Sequence, residues 1–167
     1  GIFASQWVGF KYFTQFFSSF QFGTTMFNTL KISLYSIVVG FPLPIILAII
    51  SNQLRVGKFR KIFQVTTYLP HFISTMVMCG MIILFLSPTS GLLANVFKSV
   101  GITIPDFLSK PSSFAGVYVW SDVWQHIGWD SIIYLAALSA IDPTYYEAAT
   151  MDGASRLQKI RHIELPL

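Results

Sequence analysis

Residues 32–54 read Ile32-Ser-Leu-Tyr-Ser-Ile-Val-Val-Gly-Phe-Pro-Leu-Pro-Ile-Ile-Leu-Ala-Ile-Ile-Ser-Asn-Gln-Leu54, a run of 23 residues without a formal charge. At 1.5 Å rise per residue, about 20 apolar residues cross a hydrocarbon core of about 30 Å. Ile62–Phe97 is a second run, of 36 residues, in which Tyr68, His71 and Cys79 are the only ionisable groups. The turn cluster Ser87-Pro88-Thr89-Ser90-Gly91 ends its apolar part at Leu86. A third stretch, Val117–Ile141, is more polar but closes on Ser131-Ile-Ile-Tyr-Leu-Ala-Ala-Leu-Ser-Ala140. We expect an all-α integral membrane chain with spans over 30–50, 62–86 and 117–141. Helices buried in a soluble protein are usually shorter and keep a charged face. A β-barrel needs alternating segments of about ten residues, whereas these runs are continuous.

Composition points the same way. Of 167 residues, 53% are hydrophobic and only 11% are charged, and the mean hydropathy is +0.61. A soluble domain carries about 25% charged residues. So few charges cover little water-facing surface, and disorder needs the opposite balance. The formal net charge of +4 is concentrated: Arg55, Lys58, Arg60 and Lys61 lie within seven residues. Nucleic-acid binding needs a broader basic face. Between apolar runs, such a cluster marks a cytoplasmic link. The link 87–116 carries only Lys98 and Lys110, while the tail after Ile141 carries Arg156, Lys159 and Arg161. By the positive-inside rule, 51–61 and 142–167 are cytoplasmic, and 1–29 and 87–116 lie outside.

Residues 1–28 hold eight Phe, and Phe10, Phe13, Phe17 and Phe20 share a helical face with Lys11, Gln15 and Ser18 elsewhere. The pattern fits a helix lying in the membrane interface, or part of a loop packed on the bundle. Leu92–Val100 reads as a short helix between Gly91 and Gly101. Gly40, Pro42 and Pro44 should kink the first span, and Pro70 the second, because proline removes a donor and crowds the preceding turn. Cys79 is alone, which excludes an internal disulfide, and it reads as a small buried hydrophobe. The chain begins at Gly1 without the features of a signal peptide, so a fragment of a longer protein is expected.

Asp122, His126 and Asp130 follow one another at four-residue steps and share a helix face, accompanied by Trp120, Trp124 and Trp129. A carboxylate in mid-membrane costs at least about 2.5 kcal/mol and needs a partner or water. One reading is the lining of a polar solute path, with Trp124, His126 and Asp130 facing hydroxyls and sugar rings. The other is an aromatic belt with a charge pair that holds subunits together. A proton relay is a third.

The tail is the most specific segment. Asp142-Pro143 should stop the third span and open a new helix, and Thr144 with Glu147 fits a capping box. Ala148, Ala149 and Met151 make that helix small-sided, and Gly153 can end it in the left-handed conformation. Such a helix suits a groove in a cytoplasmic partner. There is no Gly-x-x-x-x-Gly-Lys-Ser/Thr loop, no metal cluster and no dinucleotide motif, so no cofactor is expected.

Glu147, Ala148, Ala149, Gly153, Ile163, Leu165 and Pro166 follow the pattern Glu-Ala-Ala, three residues, Gly, nine residues, Ile-x-Leu-Pro. This resembles the signature loop of binding-protein-dependent ABC importer permeases. Asn28-Thr29-Leu30, Tyr68-Leu69-Pro70 and Gly128-Trp129 with the apolar stretch after them resemble the carbohydrate-uptake branch, above all permeases for oligo- and polysaccharides. Trp7-Val8-Gly9-Phe10 is similar to the stretch these proteins carry after their first span.

The resemblance implies a bacterial plasma-membrane transporter subunit, not an enzyme. It implies a second permease subunit, two cytoplasmic ATP-binding subunits that hydrolyse the ATP, and an extracytoplasmic solute-binding protein that delivers a carbohydrate. The loop helix, with Asp152 beside Gly153, would dock into an ATP-binding subunit and couple ATP hydrolysis to alternating access. Six spans are usual, so this chain would lack the first and the last two. Asp130 departs from the small or neutral residue expected after Gly-Trp. The alternatives are a proton-coupled secondary transporter using the Asp–His stripe, and a membrane scaffold whose tail recruits a partner.

Overall fold

The computed structural model describes residues 8–54, 57–101 and 105–167; Trp7 and Arg55, singled out above, lie outside them. The described residues are helical, with no strand among them. The helices are α1 Lys11–Phe17, α2 Phe20–Gly40, α3 Pro42–Gln53, α4 Lys58–Tyr68, α5 Thr75–Leu86, α6 Leu92–Ser99, α7 Pro111–Ala140, α8 Pro143–Met151 and α9 Arg156–Lys159. A 3-10 turn, Leu69–Phe72, follows α4, and a π turn, Ile160–Glu164, follows α9.

The first expected span is longer than 30–50. α2 and α3 run on as one helix of 34 residues, Phe20–Gln53, long and apolar enough to cross a membrane. Only 11% of its most apolar stretch is buried. A core helix of a soluble protein hides most of such a stretch. The Gly40–Pro44 stretch does not interrupt the path: Phe41 keeps helical angles (φ −75°, ψ −49°), and its N–H reaches the Ile37 carbonyl at 3.0 Å.

The second stretch is not a single kinked helix. α4 with its 3-10 turn meets α5 at 101°. Ile73 and Ser74 are extended (ψ 128° and 148°), and the Ser74 hydroxyl accepts the Val77 N–H at 3.4 Å, capping α5. Only taken together are the two arms long and apolar enough to cross a membrane. Lys58, Arg60 and Lys61 stand in α4 rather than in a loop. Bases in a first turn oppose the helix dipole.

α7 has 30 residues, about 45 Å at the helical rise. It starts at Pro111 instead of 117, with proline in the first turn, where its missing N–H costs nothing. α7 is the central element, packed against α2, α3, α4 and the 3-10 turn. The packed side is marked by the buried residues Val119, Val123, Gln125, Gly128, Ser131 and Leu138, and Ala48 is buried on α3. Trp120 Nε1–H donates to the Tyr35 hydroxyl at 2.9 Å and ties α7 to α2.

Two smaller expectations change. The phenylalanine face is not one helix, because Ser18 and Ser19 divide α1 from α2, and Ser19 is extended. Phe16, Phe17 and Phe22 instead pack edge to face across that break. Cys79 is exposed rather than buried. α6 forms where expected, with Gly101 left-handed beyond its end.

Candidate coupling loop and solute path

The tail folds as a chain of capped turns. The N-cap of α8 is Asp142, whose Oδ1 accepts from the Thr144 N–H at 2.9 Å and the Thr144 hydroxyl at 2.8 Å. These bonds hold the Asp142 carboxyl below its ordinary pKa. The expected Thr144–Glu147 capping box therefore does not form: Thr144 is already inside the helix, and its hydroxyl is spent on Asp142. The capping box sits one helix later. Ser155 N–H donates to Gln158 Oε1 at 2.7 Å, and Gln158 N–H donates to the Ser155 hydroxyl at 3.4 Å.

Gly153 ends α8 in the left-handed region, at φ 75°. Ala154 N–H reaches the Ala149 carbonyl at 2.8 Å and Gly153 N–H the Thr150 carbonyl at 3.1 Å. This is the double closure of a Schellman motif. Lys159 Nζ then donates to the Thr150 hydroxyl at 2.7 Å, pinning α9 back on α8. Ala149, Asp152, Gly153 and Ile163 come together around one cleft, which Lys159 and His162 complete. Glu147 and Ala148 are exposed on α8, and Leu165 and Pro166 are exposed beyond the π turn.

Sequence reasoning passed over Glu164. It is 6% exposed. Its Oε1 accepts from Gln53 Nε2 at 2.8 Å and from Asn52 Nδ2 at 3.3 Å, both at the end of α3. Its Oε2 and the Tyr146 hydroxyl are buried without hydrogen bonds of ordinary length. Burial pushes the Glu164 carboxyl above its usual pKa, against the pull of the neighbouring amides and the phenol. Its place as the variable residue of Ile-x-Leu-Pro hid it, and its partners are more than 100 positions away.

The polar stripe is only partly drawn together. His126 Nδ1 lies 3.2 Å from Asp122 Oδ1 and 3.0 Å from the Asp122 carbonyl oxygen. Trp129 stacks on His71 (centroids 4.4 Å, 4° between planes), and His71 meets His126 edge to face at 5.4 Å. His71 thus joins the stripe because the 3-10 turn carries it to α7. Trp124 lines a cleft of about 520 Å³ between α5 and α7 with Met78, Ile82 and Trp120, and His126 lines its neighbour with Asp122 and Cys79. Asp130 is exposed and lines neither.

Gly128 and Gln125 hold the bend against α7. A side chain at 128 would run into the Thr67 carbonyl, so α4 and α7 touch backbone to backbone there. Gln125 Nε2 donates to the Ile73 carbonyl at 2.6 Å, satisfying a group that the broken helix leaves free.

Residues 40–167 match the family described as binding-protein-dependent transport system inner membrane component. The chain belongs to that family. Glu147–Pro166 thus falls inside the matched region of an inner-membrane transport component. The chain is 38% identical, over 99% of its length and 52% of the relative's, to the polygalacturonan/rhamnogalacturonan transport system permease protein YteP of Bacillus subtilis. It is 35% identical to protein LplB of the same organism, again over 99% of the chain and 52% of the relative. It therefore spans about half the length of these family members. A solved bacterial ABC transporter involved in import of the acidic polysaccharide alginate superposes with a TM-score of 0.93 at 42% identity, over 98% of this chain and 57% of that one. A solved bacterial alginate ABC transporter in complex with an alginate pentasaccharide-bound periplasmic protein superposes with a TM-score of 0.91 at 42% identity, over 95% of this chain and 55% of that one.

Proposed function

We propose that this chain is part of the permease subunit of an ATP-driven importer for an oligo- or polysaccharide. The similarity to the alginate importer over 98% of the chain is the observation that supports this most. Phe20–Gln53, the bent pair α4–α5, and α7 are its three crossings. The ends of α3 and α7 and the whole tail face the cytoplasm. α8 is the coupling helix: it enters a groove of an ATP-binding subunit, and Glu147, exposed on it, makes the polar contact there. The full assembly adds a second permease, two ATP-binding subunits and an extracytoplasmic solute-binding protein. ATP is hydrolysed in the partner chains, and this subunit alternates its access without chemistry on the solute.

The rigid caps of α8 serve this role. A helix of nine residues is marginal alone, and Asp142, the Schellman closure and the Lys159–Thr150 bond keep it formed while it is pushed. For the solute path, the Trp129–His71–His126 group offers a ring face and two imidazoles, and Trp124 adds a second ring face in the adjoining cleft. Aromatic faces suit sugar rings, and imidazoles suit hydroxyls.

The test uses the full-length permease with its partners in proteoliposomes. Glu147→Arg is expected to abolish import while ATP hydrolysis continues. Normal import by that variant removes the coupling role of α8. Trp129→Ala is expected to raise the sugar concentration needed for half-maximal import, and an unchanged value removes Trp129 from the path.

A further inference from the structure

We propose that Glu164 is a positioning residue that fastens the coupling segment to the cytoplasmic end of the first span, so that a push on α8 is delivered to α3. This rests on the importer reading above. The path from α8 to Glu164 is hydrogen-bonded without a gap. The Schellman turn closes α8, Lys159 binds Thr150 across it, and the Ser155–Gln158 box sets α9. The π turn then continues from α9, with Leu165 N–H bonded to the Ile160 carbonyl at 3.0 Å. That wider turn brings Ile163 and Glu164, both buried, against the bundle, and the carboxyl takes the Asn52 and Gln53 amides. One residue earlier on α3, the Ser51 hydroxyl accepts from Gln64 Nε2 at 3.1 Å. The same end of α3 is therefore held to α4 as well, and movement of the tail reaches the bent pair.

A buried carboxylate is a costly way to hold two helices, and an apolar residue of similar volume often serves stability as well or better. What the carboxyl supplies is direction and register: one oxygen that only these two amides meet. The groups around it are few. Asn52 and Gln53 come from α3, Tyr146 from α8, and Tyr134 of α7 lines the adjoining cavity. Arg161 and His162, on its own turn, are exposed. A protonated carboxyl keeps Oε1 as the acceptor for both amides and avoids the cost of a buried charge. With its pKa raised by burial, docking is complete below the ordinary value of 4.5 and weakens as pH rises through the raised value.

Two readouts on the full-length permease test this. The first is sugar imported per ATP hydrolysed, in proteoliposomes with all partner subunits. The second is the distance between spin labels at Met151 and Ile50 in detergent, which does not depend on import. Glu164→Ala is expected to lower import per ATP about tenfold, as two half-buried amide donors lose their acceptor, and to broaden the label distance. Glu164→Gln keeps a carbonyl oxygen for both amides. It is expected to stay within about twofold of wild type and to lose the pH dependence of the label distance. In an Asn52→Ala/Gln53→Ala background, Glu164→Ala is expected to add nothing. Wild-type coupling in Glu164→Ala, or a full additional loss in that background, overturns the proposal. If Glu164→Ala does not assemble, Glu164→Gln and the double variant decide it by the same readouts. A wild-type assembly that hydrolyses ATP without importing carbohydrate removes the importer reading instead, and the label distances then decide the tie alone.

Discussion

Two proline-bearing apolar stretches in this chain end differently. At Gly40–Pro44 two prolines sit in a helix that continues from Phe20 to Gln53. At Leu69–Ser74 one proline sits in a helix that turns by 101°. Proline alone therefore does not set the angle. In the first stretch Phe41 keeps helical angles and still donates to Ile37, so the backbone carries the helix on into Pro42. In the second, Pro70 lies within the 3-10 turn, and the turn of direction comes after it, at Ile73 and Ser74. There the freed groups find other partners: Ser74 caps α5, and Gln125 of α7 takes the Ile73 carbonyl. A helix breaks cheaply where a neighbour satisfies what the break exposes.

That contrast can be broken at its strongest point first. Gly128→Val should force α4 off α7, because the new side chain meets the Thr67 backbone rather than a movable side chain. We expect a loss of about 3 kcal/mol, read as a large drop in the thermal stability of the purified permease. Gln125→Leu should cost about 1–3 kcal/mol by stranding the Ile73 carbonyl. It should also open the bend, lengthening the distance between spin labels at Arg60 and Leu86; an unchanged distance would show that Gln125 does not hold the angle. Ser74→Ala should cost about 1 kcal/mol by removing the cap of α5, with little change in that distance. Pro42→Ala should change stability by less than about 1 kcal/mol, since the helix already passes through this point. A third proline, Pro143, starts α8 behind Asp142. The Asp142 carboxyl is held below 3.8 by its bonds to Thr144. Its support for α8 is thus complete above that value and fades as pH falls through the depressed one. We expect slight fraying of α8 only in strong acid, visible as faster amide exchange at Tyr145 and Tyr146.

Much of the architecture could be read from residue order. The apolar runs located the long helices, and Gly91 and Gly101 bounded α6. Gly153 ended α8 for the reason anticipated, since only glycine enters its left-handed conformation without a steric cost. Position decides between the capping signals: Asp142 and Ser155 cap α8 and α9, whereas Thr144 with Glu147 carries the same pattern inside α8. Such short patterns recur by chance, and only the backbone decides which one is used. In the stripe, the four-residue spacing anticipated the Asp122–His126 pair, because one helix carries both. His71 was out of reach of such logic. It lies 55 positions from His126 and joins it only because the 3-10 turn after α4 packs on α7.

The sequence by itself determined which segments are helical and apolar, where α8 ends, and which family the tail belongs to. These follow from local hydropathy, backbone preference and fixed short spacings. Only the tertiary structure decided the bend of 101°, the bare contact at Gly128, and the capture of Glu164 by Asn52 and Gln53. Each of those depends on whether a distant helix presents a space or a polar group at one point. No local pattern of residues carries that information.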